Sequence, residues 1–250
     1  MDYETIIYEK REKIAIVTLN RPKKKNAISS KMWHELGQVV DEIEKDVDLK
    51  VMILTGGSEA FCSGADLSEV QESKTGRPER GEASPIEKIR DMSKPTIAAI
   101  SGSCVAGGIE LALACDILVG SETARIGDGH IKMGLLGVGG STTRIPRMIG
   151  RSKAMELILT GDLIDGKEAL QIGILNHVYP KDKLMDETMA LAKKIGTNPP
   201  TAIRLTKKAV DAACDMDEYQ SYHYTKVLLS ELLASAEFRE RVAAFLQKGK

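Results

Sequence analysis

The sequence predicts an α/β protein with a helical module at its C-terminal end, and three observations support this fold class. Short β-branched runs alternate with amphipathic segments through the first part of the chain. Two of these runs end in glycine-rich turns that lead into helix-like segments. Further along, the apolar residues follow a helical period almost throughout. Because alternating strands and helices are typical of layered α/β domains, we predict a core over residues 1–190 and a helical module over 191–250.

The first predicted strand and helix come early in the chain. Ile14–Leu19 is a continuous apolar run of the kind that forms a buried strand. Ser29 or Ser30 can cap the amphipathic segment that continues to Glu44, because a serine hydroxyl accepts a hydrogen bond from the first turn of a helix. The sequence therefore predicts a strand followed by a helix in this region.

Two turns rich in small residues each follow a predicted strand and precede a helix-like segment. The turn at 61–67 follows a strand at 50–55, and the turn at 101–111 follows a strand at 96–100. Such a turn lets a ligand approach the backbone closely and leaves N–H groups free to face it. Two of them in one chain predict two backbone donors that converge on one ligand oxygen, as in an oxyanion hole.

The second turn also carries an acid. Glu110 lies three residues after Gly107, and on a helix this spacing places both residues on one face. Its neighbours are apolar, and a carboxylate among apolar residues costs desolvation energy unless it is paired or used in chemistry. Glu110 is therefore either a catalytic base or a structural glutamate satisfied by a neighbouring arginine. For Gly107 and Gly108 the alternative role is close packing of helix on strand.

The rest of the core region continues the alternation and contains one polar stretch. Strands are predicted at 116–119 and 124–127, followed by a glycine-dense stretch at 134–140. Residues 68–93 are polar and contain few apolar side chains before Ile86. We expect this stretch to form a surface loop.

The amino-acid composition excludes several classes of protein. A chain of 250 residues with 42% hydrophobic residues can bury a sizeable core, and a net charge of −1 does not favour nucleic acid or anionic membranes as partners. The sequence opens without a hydrophobic signal region. Its four cysteines lack the spacing of a metal site or a redox motif. We therefore expect a cytoplasmic protein with reduced thiols and no metal.

Five motifs together resemble the enoyl-CoA hydratase/isomerase (crotonase) superfamily. They occur in that family's order, and the resemblance spans residues 5–248. The motifs are Leu19-Asn-Arg-Pro-Lys with Asn26-Ala27, Phe61-Cys-Ser-Gly-Ala-Asp66, Lys94-Pro-Thr-Ile-Ala-Ala, Ala106-Gly-Gly-Ile-Glu-Leu-Ala-Leu-Ala-Cys-Asp116, and Leu159-Thr-Gly-Asp162. The resemblance implies a ββα superhelix with a C-terminal helical module at a trimer interface, and two trimers in a hexamer. It also implies that residues 68–93 border the acyl pocket and become ordered when ligand binds.

The resemblance implies an enzyme that acts on an acyl-CoA thioester through an enolate. The backbones of Ala65 and Gly107 would form the oxyanion hole, and Glu110 would activate water for addition to an α,β-unsaturated acyl-CoA. Coenzyme A is part of the substrate, and no other cofactor is implied. Double-bond isomerisation and hydrolysis of a C–C or thioester bond are alternatives within the same fold.

Two alternatives belong to other classes of protein. A non-catalytic member, such as an RNA-binding relative, fits poorly with the net charge and with a glutamate retained in an apolar run. A serine hydrolase that uses Ser103 and His130 lacks the Gly-x-Ser-x-Gly elbow of such enzymes.

This chain departs from the family's hydratases at one catalytic position. A gapless match on Gly134 and Arg144 places His130 where hydratases usually carry a second glutamate. Imidazole exchanges protons near neutral pH, so acid–base chemistry is retained. The binding of one water molecule by two carboxylates is lost. His130 is thus a catalytic group or a residue of the pocket wall, and Asp128 is a candidate to orient it.

The resemblance also implies contacts with the CoA moiety. The basic run at 21–25 corresponds to a loop that approaches the nucleotide end of CoA in the family. Ser68 stands where relatives often carry a lysine, which weakens that contact. The implied substrate or CoA contacts are Lys25, Ala27, Ser63, Asp66, Leu67, Ser68 and, from a neighbouring subunit, Lys248.

Overall fold

A computed structural model describes residues 2–73 and 84–248 and confirms the α/β class. The described strands are β1 (Ile6–Arg11), β2 (Ile14–Leu19), β3 (Val51–Thr55), β4 (Ala60–Cys62), β5 (Thr96–Ile100), β6 (Ser103–Val105), β7 (Ile117–Ser121), β8 (Arg125–Gly127), β9 (Ile164–Asp165) and β10 (His177–Tyr179). The described helices are α1 (Ser30–Lys45), α2 (Leu67–Glu72), α3 (Pro85–Asp91), α4 (Gly107–Leu113), α5 (Ser141–Ile149), α6 (Arg151–Thr160), α7 (Gly166–Gln171), α8 (Leu184–Gly196), α9 (Pro200–Asp215), α10 (Glu218–Ala234) and α11 (Ala236–Lys248).

The strands form two sheets that belong to one superhelix. The larger sheet has the order β1-β2-β3-β5-β7-β10, and its strands are parallel except for β1, which is antiparallel to β2. The smaller sheet has the order β4-β6-β8-β9, and its first three strands are parallel. From β3 onward, each successive pair of strands therefore places one strand in each sheet, as expected for a ββα superhelix.

The larger sheet is covered on both faces, which explains the continuous apolar runs in its strands. In β3, Ile53 packs in a cluster with Leu184 of α8, whereas Leu54 packs in a cluster with Leu36 of α1. All four side chains are buried, and each such burial contributes roughly 1.5–3 kcal/mol. Helix α1 begins where the sequence predicts, because the Ser29 hydroxyl accepts a hydrogen bond from Met32 N at 3.2 Å.

The prediction of a loop over residues 68–93 is wrong for the helical parts of this stretch. Helix α2 contains Leu67–Glu72, and α3 contains Pro85–Asp91. Proline suits the first turn of a helix, and Ile86 and Ile89 lie on one helical face that is buried in the core. Residues 74–83 lie outside the described residues, so the predicted ordering on ligand binding stays a prediction.

The last three helices are largely exposed. In α9 the buried side chain is Leu205, and in α10 it is Leu228. Helix α8 passes through residue 190 and packs on the larger sheet. The division into 1–190 and 191–250 stays a prediction. No helix in the described parts of the chain has the length and apolar character needed to span a bilayer.

Replacement of Gly108 by alanine should destabilise the fold. A Cβ at this position would lie 2.3 Å from the Cys62 carbonyl oxygen, in the backbone of β4. Relieving that overlap should cost about 1–3 kcal/mol in the free energy of unfolding, measured by urea denaturation. Gly37→Ala is the matched control, because a Cβ there would meet only Lys88 Nζ at 3.7 Å. The control should gain about 0.5–1 kcal/mol, and an equal gain in Gly108→Ala would contradict the described packing.

Candidate active site

Three neighbouring strands of the smaller sheet place the predicted functional residues at one edge. The order β4-β6-β8 is parallel, so the carboxyl ends of these strands lie side by side. Ala65 follows β4, Gly107 follows β6, and Asp128 follows β8. Segments far apart in sequence thus meet at one position, as loops do at the carboxyl edge of other parallel sheets.

The two glycine-rich turns lie against each other. Gly64 has a φ of +98°, and a Cβ on it would lie 3.4 Å from Gly107 N and 3.0 Å from Ala106 Cβ. A Cβ on Gly107 would lie 3.7 Å from Ala65 N. Within the described residues, neither Ala65 N–H nor Gly107 N–H donates a hydrogen bond. Ile28 supports the first turn, because its N–H donates to Gly64 O and its carbonyl accepts from Asp66 N. The structure therefore holds two unused backbone donors close together.

Ala106 takes a strained conformation at the start of α4. Its φ of 52° and ψ of −122° lie in a region that L-residues rarely adopt. Strain of this kind costs of order 1–3 kcal/mol and is maintained by surrounding structure. Here the Ala106 N–H donates to Gly127 O at 3.2 Å, which ties the turn to β8. The backbone thus turns sharply immediately before Gly107.

Glu110 is buried, and its two oxygens have different environments. Oε1 accepts hydrogen bonds from Gly139 N at 2.6 Å, Ser141 N at 3.4 Å and Ser141 Oγ at 3.2 Å. Oε2 accepts no hydrogen bond from the described residues and lies 3.8 Å from His130 Nε2. Nor does any arginine in the described part of the chain form an ion pair with Glu110. The alternative of a structural glutamate satisfied by arginine is therefore not observed.

Asp128 orients the His130 ring. Asp128 Oδ1 lies 3.0 Å from His130 Nδ1 and also accepts a hydrogen bond from His130 N at 3.0 Å. The hydrogen bond to Asp128 raises the pKa of His130 above its ordinary value of 6.5, although partial burial opposes this. Burial raises the pKa of Asp128, but hydrogen bonding to His130, together with the nearby Ser141 hydroxyl, outweighs it and holds that pKa below its ordinary value. The pair therefore favours imidazolium beside carboxylate, with Nε2 directed at Glu110.

The residues predicted to contact CoA lie on the neighbouring loops, and some of them already have protein partners. Asp66 is buried and binds Arg21 Nη2 at 2.7 Å, so this arginine of the basic run is held by the protein. The Ser68 hydroxyl binds Asp66, and this hydrogen bond is the main cause that lowers the pKa of Asp66. Lys25 is exposed, and its carbonyl accepts a hydrogen bond from Ser63 N at 3.1 Å.

Ala27, Leu67 and Lys248 are the other residues predicted to contact CoA. Ala27 is buried, and its carbonyl accepts a hydrogen bond from Arg21. Leu67 is 51% exposed at the start of α2. The side chain of Lys248 lies outside the described part of the chain.

The sequence did not reveal the loop that holds Glu110. In the sequence, residues 134–140 show only a high density of glycines, yet this loop folds back so that Gly139 and Ser141 donate hydrogen bonds to the carboxylate. A Cβ on Gly139 would lie 2.6 Å from Glu110 Oε2, so the position requires glycine. The density of glycines was the available signal, because glycines often permit close approach to another group.

Burial makes two of the cysteine thiols poor nucleophiles. Burial raises the pKa of Cys104 well above its ordinary range and that of Cys115 to about 12, so neither thiol is a ready nucleophile. Among the described residues, no group of three or more His, Cys, Asp or Glu side chains could hold a metal ion.

Known proteins of one family are similar to this chain in sequence and in fold. The family model for enoyl-CoA hydratase/isomerase matches residues 9–250. The chain is 35% identical to the short-chain-enoyl-CoA hydratase of Clostridium acetobutylicum, over 100% of this chain and 97% of that relative. A crystal structure of an enoyl-CoA hydratase from Mycobacterium tuberculosis superposes with a TM-score of 0.90 at 34% identity, covering 98% of this chain and 96% of that one. One from Bacillus anthracis gives a TM-score of 0.88 at 31% identity, covering 98% and 97%.

Proposed function

We propose that this chain, which belongs to the enoyl-CoA hydratase/isomerase family, adds water across the α,β double bond of an acyl-CoA thioester. One observation carries the proposal beyond family membership. The unused N–H groups of Ala65 and Gly107 lie beside a helix that presents an unbound carboxylate oxygen of Glu110. Donors for an oxyanion and a base for water therefore face the same region.

The two N–H groups would stabilise the negative charge that develops on the thioester oxygen. Hydration of the double bond passes this charge to the carbonyl as an enolate. Each preorganised donor of this kind is worth about 2.7–4 kcal/mol of the barrier. The positive end of α4 adds to the effect, since Gly107 is its first residue.

Glu110 and His130 would divide the proton transfers. Glu110 Oε2 takes a proton from water while the water oxygen bonds to Cβ, and the double-bond electrons move into the enolate. The His130 imidazolium then gives its proton to Cα, and the carbonyl is restored. The 3.8 Å between Glu110 Oε2 and His130 Nε2 is wider than a direct hydrogen bond and allows a water to bridge them.

The CoA moiety would lie along the loops that flank this site. Lys25 is the candidate phosphate contact in the basic run, because Arg21 is already paired with Asp66. Ser68 also binds Asp66, which supports a role in shaping the loop. Lys248 of a neighbouring subunit is the other candidate cation. Coenzyme A itself is the only cofactor-like group that the proposal needs, and a cytoplasmic location stays a prediction.

Product analysis separates hydration from the other reactions of the family. The chain is incubated with enoyl-, dienoyl- and β-keto-acyl-CoAs, and the products are followed by mass spectrometry. Hydration adds the mass of one water without chain cleavage. An unchanged mass with a moved double bond would identify an isomerase, whereas cleaved products would identify a hydrolase. Binding of acyl-CoA without any product would favour the non-catalytic alternative.

We also propose that the C-terminal helices assemble the chain into trimers, and trimers into a hexamer. Large apolar side chains on α10 and α11 are exposed in the single chain, including Val227 at 65% and Phe245 at 78%. Light scattering at micromolar concentration should therefore give the mass of three or six chains. Phe245→Asp should shift this mass downward, whereas Val47→Asp, at an exposed position between α1 and β3, should not. A well-ordered monomer would contradict the assembly.

The turnover number should fall on the alkaline side as His130 loses its proton. The pKa of His130 is raised above 6.5 in the folded chain, so the imidazolium is lost only as pH rises through the raised value. His130→Gln should lose about 10²-fold in turnover and should also lose this alkaline limb. If His130→Gln changes substrate affinity but keeps turnover and its pH profile, His130 is only a residue of the pocket wall.

A further inference from the structure

Ser141 lies between the two acidic residues of the site. It is fully buried at the start of α5, and its Oγ lies 3.2 Å from Glu110 Oε1. A hydroxyl has one hydrogen to donate, so at any moment it serves one acceptor. In the described structure that acceptor is Glu110.

A second acceptor, Asp128, lies close to the same hydroxyl, and the proximity of this hydroxyl contributes to the lowered pKa of Asp128. Asp128 is 1% exposed, and its Oδ2 is buried without a hydrogen-bond partner. Gly137 marks the space between the groups. A Cβ on Gly137 would lie 2.1 Å from Ser141 Oγ, 2.8 Å from Asp128 Oδ2 and 3.0 Å from His130 Nδ1. These three polar atoms therefore pack closely around Gly137, in the position that a side chain of residue 137 would occupy.

We propose that Ser141 is a positioning residue whose hydroxyl turns from Glu110 to Asp128 during turnover. The inference rests on the proposed hydration and adds a residue that neither the sequence motifs nor the catalytic pair required. It involves no covalent change at Ser141, because only the direction of its O–H bond changes.

The charges at each stage explain the movement. Before reaction, Glu110 is a carboxylate and the negative charge of Asp128 is offset by the His130 imidazolium. After Glu110 has taken a proton and His130 has given one, Glu110 is neutral and Asp128 faces a neutral ring. Asp128 is then the stronger acceptor, and a buried charge without donors is costly. The Ser141 hydroxyl can satisfy Oδ2 at that stage without moving any backbone.

The test compares Ser141→Ala with Ser121→Ala. Ser121 is an equally buried serine at the end of β7, so its variant controls for loss of any buried hydroxyl. Ser141→Ala should lower kcat about ten- to a hundredfold with KM within about twofold, the range for loss of one hydrogen bond to a charged group. Ser121→Ala should keep kcat per folded molecule. Ser141→Thr retains the hydroxyl and should recover most of the activity.

The pH profile distinguishes positioning from a structural role. Asp128 and Glu110 are the charged groups that face the His130 ring. Without the Ser141 donor, the Asp128 charge is offset by the imidazolium proton alone, so His130 gives up that proton less readily. The alkaline limb of kcat should then move to higher pH in Ser141→Ala. A fall in kcat with an unmoved limb would overturn the proposal.

Gly137→Ala provides a second variant with the serine intact. Its methyl group would overlap Ser141 Oγ and must push the hydroxyl aside, so it should reproduce the loss in kcat and the moved limb. Full activity in both Gly137→Ala and Ser141→Ala would overturn the inference while leaving hydration in place. Absence of hydration in the parent chain would instead reject the proposed function. In that case the pKa of His130 is measured by NMR titration in the parent chain and in Ser141→Ala. A difference between the two values still shows that the serine changes the proton affinity of the ring.

Discussion

Glu110→Gln should reduce the turnover number for hydration by about 10²–10⁴-fold. Glutamine keeps the shape of the side chain and can still accept hydrogen bonds from Gly139 N and Ser141 at the position of Oε1. The atom that replaces Oε2 is an amide nitrogen, which cannot accept a proton from water. The loss should therefore appear in kcat, measured with an enoyl-CoA that the parent chain hydrates.

Glu35→Gln is the matched control for this experiment. Glu35 is also a buried glutamate, and it accepts hydrogen bonds from Glu4 N at 3.0 Å and Thr5 N at 2.8 Å near the start of the chain. Its variant should lose stability, because a charged acceptor is replaced, but should keep turnover per folded molecule. Full turnover in Glu110→Gln would reject Glu110 as the base.

Gly107→Pro should reduce turnover by about two to three orders of magnitude. Proline has no N–H, so the variant deletes one of the two unused donors, and the loss of one such donor typically costs 10²–10³ in kcat. Gly107 is the first residue of α4, a position that proline tolerates in helices. The preceding Ala106 is strained, so circular dichroism and thermal unfolding should accompany the kinetics.

Gly107→Ala separates the donor from steric effects. An added Cβ would lie 3.5 Å from Ile28 Cδ1 and 3.7 Å from Ala65 N, which are ordinary contacts, and the N–H is kept. Any loss in Gly107→Ala measures obstruction by the methyl group, and the additional loss in Gly107→Pro measures the donor. Equal losses in the two variants would argue against an oxyanion hole at Gly107.

The sequence predicted the backbone parts of the site better than its side-chain network. The turns around Ala65 and Gly107 could be anticipated because a run of small residues after a strand is a local pattern. Helix α1 and its Ser29 cap were predicted for the same reason. Parallel pairing of β4, β6 and β8 then brings the turns together, and pairing of this kind involves contacts that no local pattern encodes.

The remaining features depend on tertiary structure. Strand β1 was not predicted, since it is a partly exposed edge strand that gains its form by pairing with β2. Ser141 carries no motif of its own, and its position between Glu110 and Asp128 exists only once the glycine-dense loop folds back. The same holds for the orientation of His130 by Asp128, which two residues of spacing permit but do not require.

The spiral order of the strands has a consequence for how the protein acquires activity during synthesis. A nascent chain that has folded only through β7 holds Ala65, Gly107 and Glu110, but not β8 or the loop that donates to Glu110. Burying the Glu110 carboxylate in such an intermediate would be costly, because the donors that satisfy it are still missing. Docking of β8 against β6 supplies the Asp128–His130 pair, and the following loop supplies the missing donors. The catalytic pair with its supporting donors can therefore appear only once the chain through Ser141 has folded.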